Sequence, residues 1–372
     1  MKIAILTWNY PPIMAGGTEI ATQNLARALA KRKHDVLVVT TRDAGLPEES
    51  TEDGFRVHRI KSLRSKSLKY MFFCLSTLKL LRRFNPDIIH AQAMWMGLPA
   101  LVAKVFFNKP YLIWGQGSDI YFPRLFKGPI SKVVLKNASA AIALTGDMKK
   151  EMQRTCDRAT FVIGNGIGVE SFNSHSQEKV RQQLGIERNK KVIIYVGTLC
   201  VVKGVKYLIE AMKIINQKNQ KAILLIVGDG EERYNLELLV KRLNTNGSVS
   251  FAGRVDHKYI SQYMAASDVF VLPSLSEGFP VTILEAMAAG LPIVTTNVRG
   301  LPEIVKDDEN GFVVEPQNPA QLAGKISLLL DNNELRRKIS AKNKIMAGEY
   351  SWNSVASKLE EIYLTIGRFV AK

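Results

Sequence analysis

Two glutamates, Glu277 and Glu285, bracket a Gly-Phe-Pro turn in the stretch EGFPVTILEAMAAGLPIV, residues 277–294. Pro280 places the first in a loop and the second inside the helix that the following small apolar residues predict, so they are not a simple helical pair. The amides near Phe279 to Thr282 open that helix without intrahelical partners and carry partial positive charge, which suits an anion. Glu277, just before them, is poorly placed to bind phosphate but well placed to accept hydrogen bonds from neutral hydroxyls. Glu285, one turn in, can reach back and take both hydroxyls of a ribose. Hydroxyls beside phosphate describe a nucleotide sugar; a capping or surface glutamate is the plainer reading of either residue alone.

A second loop offers a cation. In VIIYVGTLCVVKG, residues 192–204, an apolar run ends at Gly197, and Lys203 and Gly204 come just before a helix beginning near Val205. A lysine beside exposed amides suits a phosphate, although a solvated lysine next to a turn glycine explains the segment as well. The first half has two comparable loops. Gly16 and Gly17 precede the helical pattern TEIATQNLARALAKR, and a glycine pair permits close backbone approach to a ligand or makes a plain turn. Gln116, Gly117, Ser118 and Asp119 follow the run YLIWG, with Asp119 readable as a cap or a ligand.

The elements that must carry these loops alternate along nearly the whole chain. KIAILTW, DVLVVTT, FRVHRI, DIIHAQ, YLIWG and AIALT are short β-branched runs separated by helical patterns, and KVIIYVG, AILLIVGDG, VSFAGRV, VFVLPS and PIVTTN form a second series. That rhythm predicts an α/β fold with two parallel sheets and two domains, residues 1–172 and 185–352. A polar Gly/Ser/Asn-rich linker is expected near residues 168–188, and the closing helix 353–372 could pack on either domain. In open α/β sheets ligands bind beyond the carboxyl ends of strands, where all of these loops lie.

Composition sets bounds. The chain has 372 residues, 46% of them hydrophobic, enough for two substantial cores. Cys74, Cys156 and Cys200 follow no metal or redox spacing, and an odd count argues against a disulfide framework, so a reducing, cytoplasmic setting is expected. MKIAILTWNYPP is too short an apolar run for a secretory leader, and no stretch approaches the roughly 20 apolar residues of a membrane span.

The net charge is +17, and residues 1–176 carry most of it, with 25 Lys and Arg against 13 Asp and Glu. Nucleic acid, anionic lipid and phosphorylated substrates all reward such a surface. Residues 55–84 hold nine Lys or Arg and no acid. Leu68, Met71, Phe72, Leu75 and Leu78 recur there at helical spacing, with Tyr70, Phe73 and Leu81 widening the apolar face. A domain helix packed on its sheet explains the face; the missing acids suggest contact with an anionic membrane surface through Arg64, Lys66 and Lys69.

Taken together, these residues resemble a family 4 retaining glycosyltransferase of the GT-B fold, two Rossmann-like doubly wound domains facing a central cleft. The resemblance covers the full length. Its most specific part is PSLSEGFPVTILEAMAAGLPIVTT with RGLPEIV and NGFVVEP after it; VGTLCVVKG, GNGI at 164–167 and YSW before the last helix support it. The resemblance implies a nucleotide-sugar donor held by Gly197, Thr198, Lys203, Gly253, Arg254, Glu277, Gly278, Phe279, Pro280, Val281 and Glu285. Lys203 would meet the diphosphate and Glu277 the sugar, both as catalytic groups. Gly16, Gly17, Gln116 and Asp119 would border the acceptor, a glycan or a lipid-linked precursor. In such enzymes the last helix crosses back to the first domain.

Two positions depart from the pattern. Thr198 stands where the family often has Arg, so Lys203, the helix dipole, Arg254 or Arg299 must supply more of the leaving-group charge. Gln116 stands where it often has His; an amide can orient a hydroxyl but does not titrate near pH 7, which rules it out as a general base. No Asp-x-Asp sequence occurs and DDE at 307–309 lies in a polar turn, so neither a metal nor another cofactor is expected. The rival readings are a nucleotide-sugar epimerase on the same fold and a nonenzymatic basic protein binding nucleic acid; the second leaves the Glu277/Glu285 loop without a purpose.

Overall fold

The computed structural model describes residues 1–12, 17–43, 45–61, 66–121, 129–172 and 175–370. The chain divides into two units, Met1–Gly166 with Trp352–Lys372, and Ile167–Ser351. The first is built on β1 (Lys2–Leu6), β2 (Asp35–Arg42), β3 (Glu49–Glu52), β4 (Phe55–Lys61), β5 (Ile88–Gln92), β6 (Tyr111–Trp114), β7 (Ala140–Ala143) and β8 (Thr160–Val162), ordered β3-β4-β2-β1-β5-β6-β7-β8. Neighbours run parallel except β3 against β4. β1, β2 and β5 are buried almost end to end because a parallel sheet is covered on both faces.

The closing helix, Trp352–Val370, belongs to this first unit. It buries Val355, Leu359, Ile362, Tyr363 and Ile366 at helical spacing and packs on the helix Gly17–Lys31. Glu360 anchors it, accepting from Arg32 Nε at 2.7 Å and lying 2.6 Å from His34 Nε2. Tyr363 Oη meets His90 Nδ1 at 2.6 Å. Burial pushes that histidine down to about 3, so it is a neutral core residue.

The helix Lys66–Phe84 does not present the face expected of it. Phe73, Thr77, Leu81 and Phe84 are buried, whereas Leu68, Met71 and Leu75 are 51%, 54% and 55% exposed. The apolar residues encircle this helix, so 3 and 4 spacing picked out a stripe other than the packed one. Lys69 lies over the Trp8 ring at 5.3 Å; Arg64 and the Lys66 side chain fall outside the described residues. Among the described residues no helix is long and apolar enough to cross a membrane.

The second unit holds β9 (Lys191–Val196), β10 (Ala222–Val227), β11 (Val249–Gly253), β12 (Val269–Leu272), β13 (Ile293–Thr296) and β14 (Gly311–Val314), all parallel, in the order β11-β10-β9-β12-β13-β14. The chain winds outward one way from β9 and the other way from β12, so the loops after these two strands flank the switch point where such sheets bind ligands. The polar segment expected as a linker is instead part of this unit. Ile167 and Phe172 enter its core, and Arg181, in the helix Gln177–Gln183, donates to Asp268 Oδ2 at 2.8 Å and to the Ala266 carbonyl at 2.8 Å. A few anchoring side chains in a polar sequence were enough to fix it, so the second unit begins at 167 rather than 185.

Candidate active site

The loop after β9 ends in a short turn, Val201–Lys203, and in Gly204, which starts the helix Val205–Lys218. The loop after β12 runs to Pro280 and the helix Val281–Ala288. The two are joined backbone to backbone: Leu275 N donates to Val202 O at 2.7 Å. Gly204 has φ +63°, and a Cβ there would lie 2.2 Å from the Pro273 carbonyl oxygen, so no side chain fits.

This contact brings Lys203 and Glu277 together. Lys203 Nζ donates to both carboxylate oxygens of Glu277, at 2.7 and 2.9 Å, and Ser274 Oγ donates to Oε1 at 2.6 Å. The Glu277 side chain is 6% exposed and that of Lys203 26%. A carboxylate so buried needs a cation and hydrogen bonds to remain charged without a large penalty. The pairing modifies the separate roles read from sequence, because the lysine is engaged by the glutamate. Ser274 carries no signal in the sequence that would have singled it out.

A third loop locks the first in place. Gly197 N donates to Val227 O at 3.0 Å, Leu199 N to Asp229 O at 3.0 Å, and Gly228 N to Gly253 O at 2.8 Å. Gly228 and Gly230 follow β10 in VGDG, a segment that from the sequence alone reads as the end of the strand. Thr198 is exposed, and its carbonyl accepts from Tyr195 Oη at 3.0 Å. Burial first, and then the Glu277 charge, hold the Tyr195 hydroxyl well above the usual phenol range. Arg254, after Gly253, is exposed, and no carboxylate pairs with it among the described residues. Arg299 Nε donates to Ser276 Oγ at 3.0 Å, beside the Glu277 loop.

At the start of the helix Val281–Ala288, Pro280 is the N-cap and no side chain caps the first amides. Ile283 N donates to the Pro280 carbonyl at 3.1 Å, and the amides of Val281 and Thr282 ahead of it suit an anion. Gly278 and Val281 are half-buried, and the Phe279 ring packs 6.4 Å from that of Tyr350, leaving its backbone as what it can offer a ligand. Glu285 is buried, with one oxygen taken: His257 Nε2 lies 2.7 Å from Oε1. That hydrogen bond raises the histidine pKa above its ordinary value. His257 is 28 residues from Glu285 on the loop after β11, too far for local pattern to connect them.

The acceptor-side residues belong to the first unit. Gly16 lies outside the described residues. Gly17 opens its helix with open space where a Cβ would be, so nothing described there demands glycine. Both amide atoms of Gln116 are buried and have no hydrogen-bond partner among the described residues, the condition of a side chain kept for a ligand. The Asp119 carboxylate is engaged by backbone amides: Oδ1 accepts from Gln116 N at 2.9 Å and Gly117 N at 3.0 Å, and Oδ2 from Met94 N at 2.8 Å. Burial raises its pKa while those amides oppose the shift. Its place is to hold the Gln116 loop in shape. Among the described residues no three His, Cys, Asp or Glu side chains gather as a metal would require.

Two family models match adjoining parts of the chain, Glycosyltransferase Family 4 over residues 15–171 and Glycosyl transferases group 1 over residues 176–346. An uncharacterized glycosyltransferase of Methanocaldococcus jannaschii is 31% identical over 98% of each chain. Sucrose-phosphate synthase from Thermosynechococcus elongatus has a TM-score of 0.85 at 24% identity, covering 100% of both chains. Anabaena HepE in complex with UDP-glucose has a TM-score of 0.78 at 23% identity, over 98% of this chain and 100% of that one. Two adjoining models and a relative alike along its whole length make this chain a member of glycosyltransferase family 4, and its two parallel-sheet units are those of the GT-B fold.

Proposed function

We propose that this glycosyltransferase moves a sugar, as a hexosyltransferase does, from a nucleoside-diphosphate sugar to an acceptor hydroxyl, with retention at the anomeric carbon and without a metal ion. The observation that carries the reading is Lys203 bound to Glu277 at the switch point, beside a helix start with no side-chain cap. HepE, solved with UDP-glucose, supports the donor class. The bond from the anomeric carbon to the diphosphate oxygen breaks, the acceptor oxygen bonds on the same face, and its proton passes to the departing diphosphate. The protein positions the partners and neutralises the leaving charge through Lys203 and the helix amides. An epimerase would release free sugar and nucleotide without acceptor, and product analysis separates the two.

The test is a thermal-shift screen of ADP, GDP, UDP and dTDP in excess EDTA, followed by transfer assays with the sugars of whichever nucleotide binds. At a hundredfold excess over its dissociation constant a nucleotide adds about 2.7 kcal/mol of stability, a readily measured rise in melting temperature. Transfer should persist in EDTA and the product should keep the donor's configuration. Activity restored only by Mg²⁺ refutes the metal-free reading, and an inverted product refutes retention.

The acceptor, in this reading, is lipid-linked and met at an anionic membrane surface on the cytoplasmic side. The exposed Leu68, Met71 and Leu75, on a helix whose segment lacks any acid, support this. Sedimentation with liposomes should require anionic lipid, weaken at high salt, and fall when Leu68, Met71 and Leu75 become Ser. Equal binding to neutral vesicles, or none, removes the membrane and favours a soluble acceptor.

A further inference from the structure

We infer that His257 is a positioning residue of the donor site, fixing the Glu285 carboxylate through the bond from its imidazole so that this carboxylate can grip the ribose. The inference rests on the donor reading proposed above, and the geometry carries it. Glu285 side-chain exposure is 3%, His257 Nε2 to Oε1 is 2.7 Å, and the imidazole is 55% exposed. Among the described residues no other side chain bonds that carboxylate. A glutamate has three side-chain torsions, and one inside a helix needs an outside partner to hold a single orientation. The imidazole occupies one position on Oε1; the remaining lone pairs of that oxygen and all of Oε2 stay available to accept from a vicinal diol.

The loop that carries the histidine is itself held. Asp256 Oδ1 accepts from Lys258 N at 3.2 Å and caps the short turn His257–Tyr259. The charged groups acting on the imidazole are Glu285 and Asp256, both acidic, and the Asp256 carboxylate in turn lies 3.5 Å from Lys258 Nζ. Both acids favour the protonated ring. Below its raised pKa the imidazolium gives Glu285 a charge-assisted bond; above it a neutral imidazole can still donate, but without the charge.

The experiment is calorimetric titration with UDP, ADP and GDP of the wild type, His257→Ala, His257→Gln, Glu285→Gln and the double variant His257→Ala/Glu285→Gln. For the nucleotide that binds, His257→Ala should weaken binding about tenfold, as loss of a hydrogen bond to a charged group does. His257→Gln, which keeps a donor, should recover most of that loss. In the Glu285→Gln background, His257→Ala should add little, since the histidine acts through the glutamate. The ratio of the His257→Gln to wild-type dissociation constants should fall toward one as pH rises from the ordinary histidine value of 6.5 into the alkaline range. Taking the ratio cancels titration of the nucleotide. In donor kinetics the loss should appear in KM more than in kcat, because a ribose contact is alike in ground and transition states. Additive effects of the two substitutions, or a ratio that ignores pH, overturn the inference. Failure of the wild type to bind UDP, ADP or GDP overturns the inference, and failure to bind dTDP as well overturns the donor reading itself.

Discussion

Replacing Lys203 by alanine should lower turnover by about two orders of magnitude, in the range found when one electrostatic partner of a developing anion is removed. Charge accumulates on the diphosphate as the glycosidic bond breaks, so the loss should fall on kcat more than on donor binding. A solvated lysine could be removed without harm to the fold, but this one is bonded to a glutamate that is 6% exposed. Alanine there leaves Glu277 with the Ser274 hydroxyl as its remaining side-chain donor among the described residues. Stranding that buried carboxylate should cost about 1–3 kcal/mol, a lower range than for a fully buried pair because Lys203, 26% exposed, leaves a place that water can enter. The double variant Lys203→Met/Glu277→Gln should recover melting temperature while staying inactive, which separates the lysine's structural contribution from its chemical one. Steady-state kinetics and thermal melts on the same samples decide it; turnover near that of the wild type would end the catalytic role given to Lys203.

The contrast between Lys203 as a loop cation and Lys203 as half of an ion pair shows where the sequence stopped being informative. Strand runs such as VIIYV and VFVLP are visible because parallel strands covered on both faces are apolar throughout. Glycine and proline then marked where each run gave way to a loop. That β9 lies beside β12, bringing together residues 74 positions apart, follows from the winding of the sheet and has no local signature. The same holds for His257 and Glu285. β3 was missed for the opposite reason: ESTE has no apolar residue, and its place at the sheet edge comes from pairing with β4. β8, of three residues, is too short to show a period. In the helix Lys66–Phe84 the apolar residues were legible but their direction was not, since Trp8 packs against Tyr70 and Phe73 and so chooses the inward face. Asp119 could be read as cap or ligand; it sits inside the helix Ser118–Tyr121, and its carboxylate instead takes the backbone amides of Met94, Gln116 and Gly117, contacts that no local pattern announces.

Gly228→Ala should be the most damaging single-methyl change in the second unit. Gly228 follows β10 with φ +141°, and a Cβ built there would stand 1.9 Å from the Gly197 carbonyl oxygen and 2.9 Å from its carbonyl carbon. Those are backbone atoms of the loop that leads to Lys203, so no rotamer can relieve the overlap and one of the two segments must move. Movement also strains the bond from Gly228 N to Gly253 O and the bond from Leu199 N to Asp229 O, which hold the three loops together. Overpacking that forces the backbone aside costs about 1–3 kcal/mol, and a displacement of about 1 Å in a positioned group can cost on the order of a hundredfold in rate. The expected result is a folded protein with a lowered melting temperature and turnover down by about a hundredfold or more, with nucleotide binding weakened as well. Gly324→Ala is the matching control. It lies inside the helix Pro319–Asp331 with nothing within 4 Å of its added carbon, so it should keep full activity and gain about 0.5–1 kcal/mol from helix propensity. If Gly228→Ala transfers sugar as fast as the control, the contact between the loops after β9 and β10 is not what holds Lys203 in place, and the Leu275–Val202 bond to the loop after β12 must hold it alone.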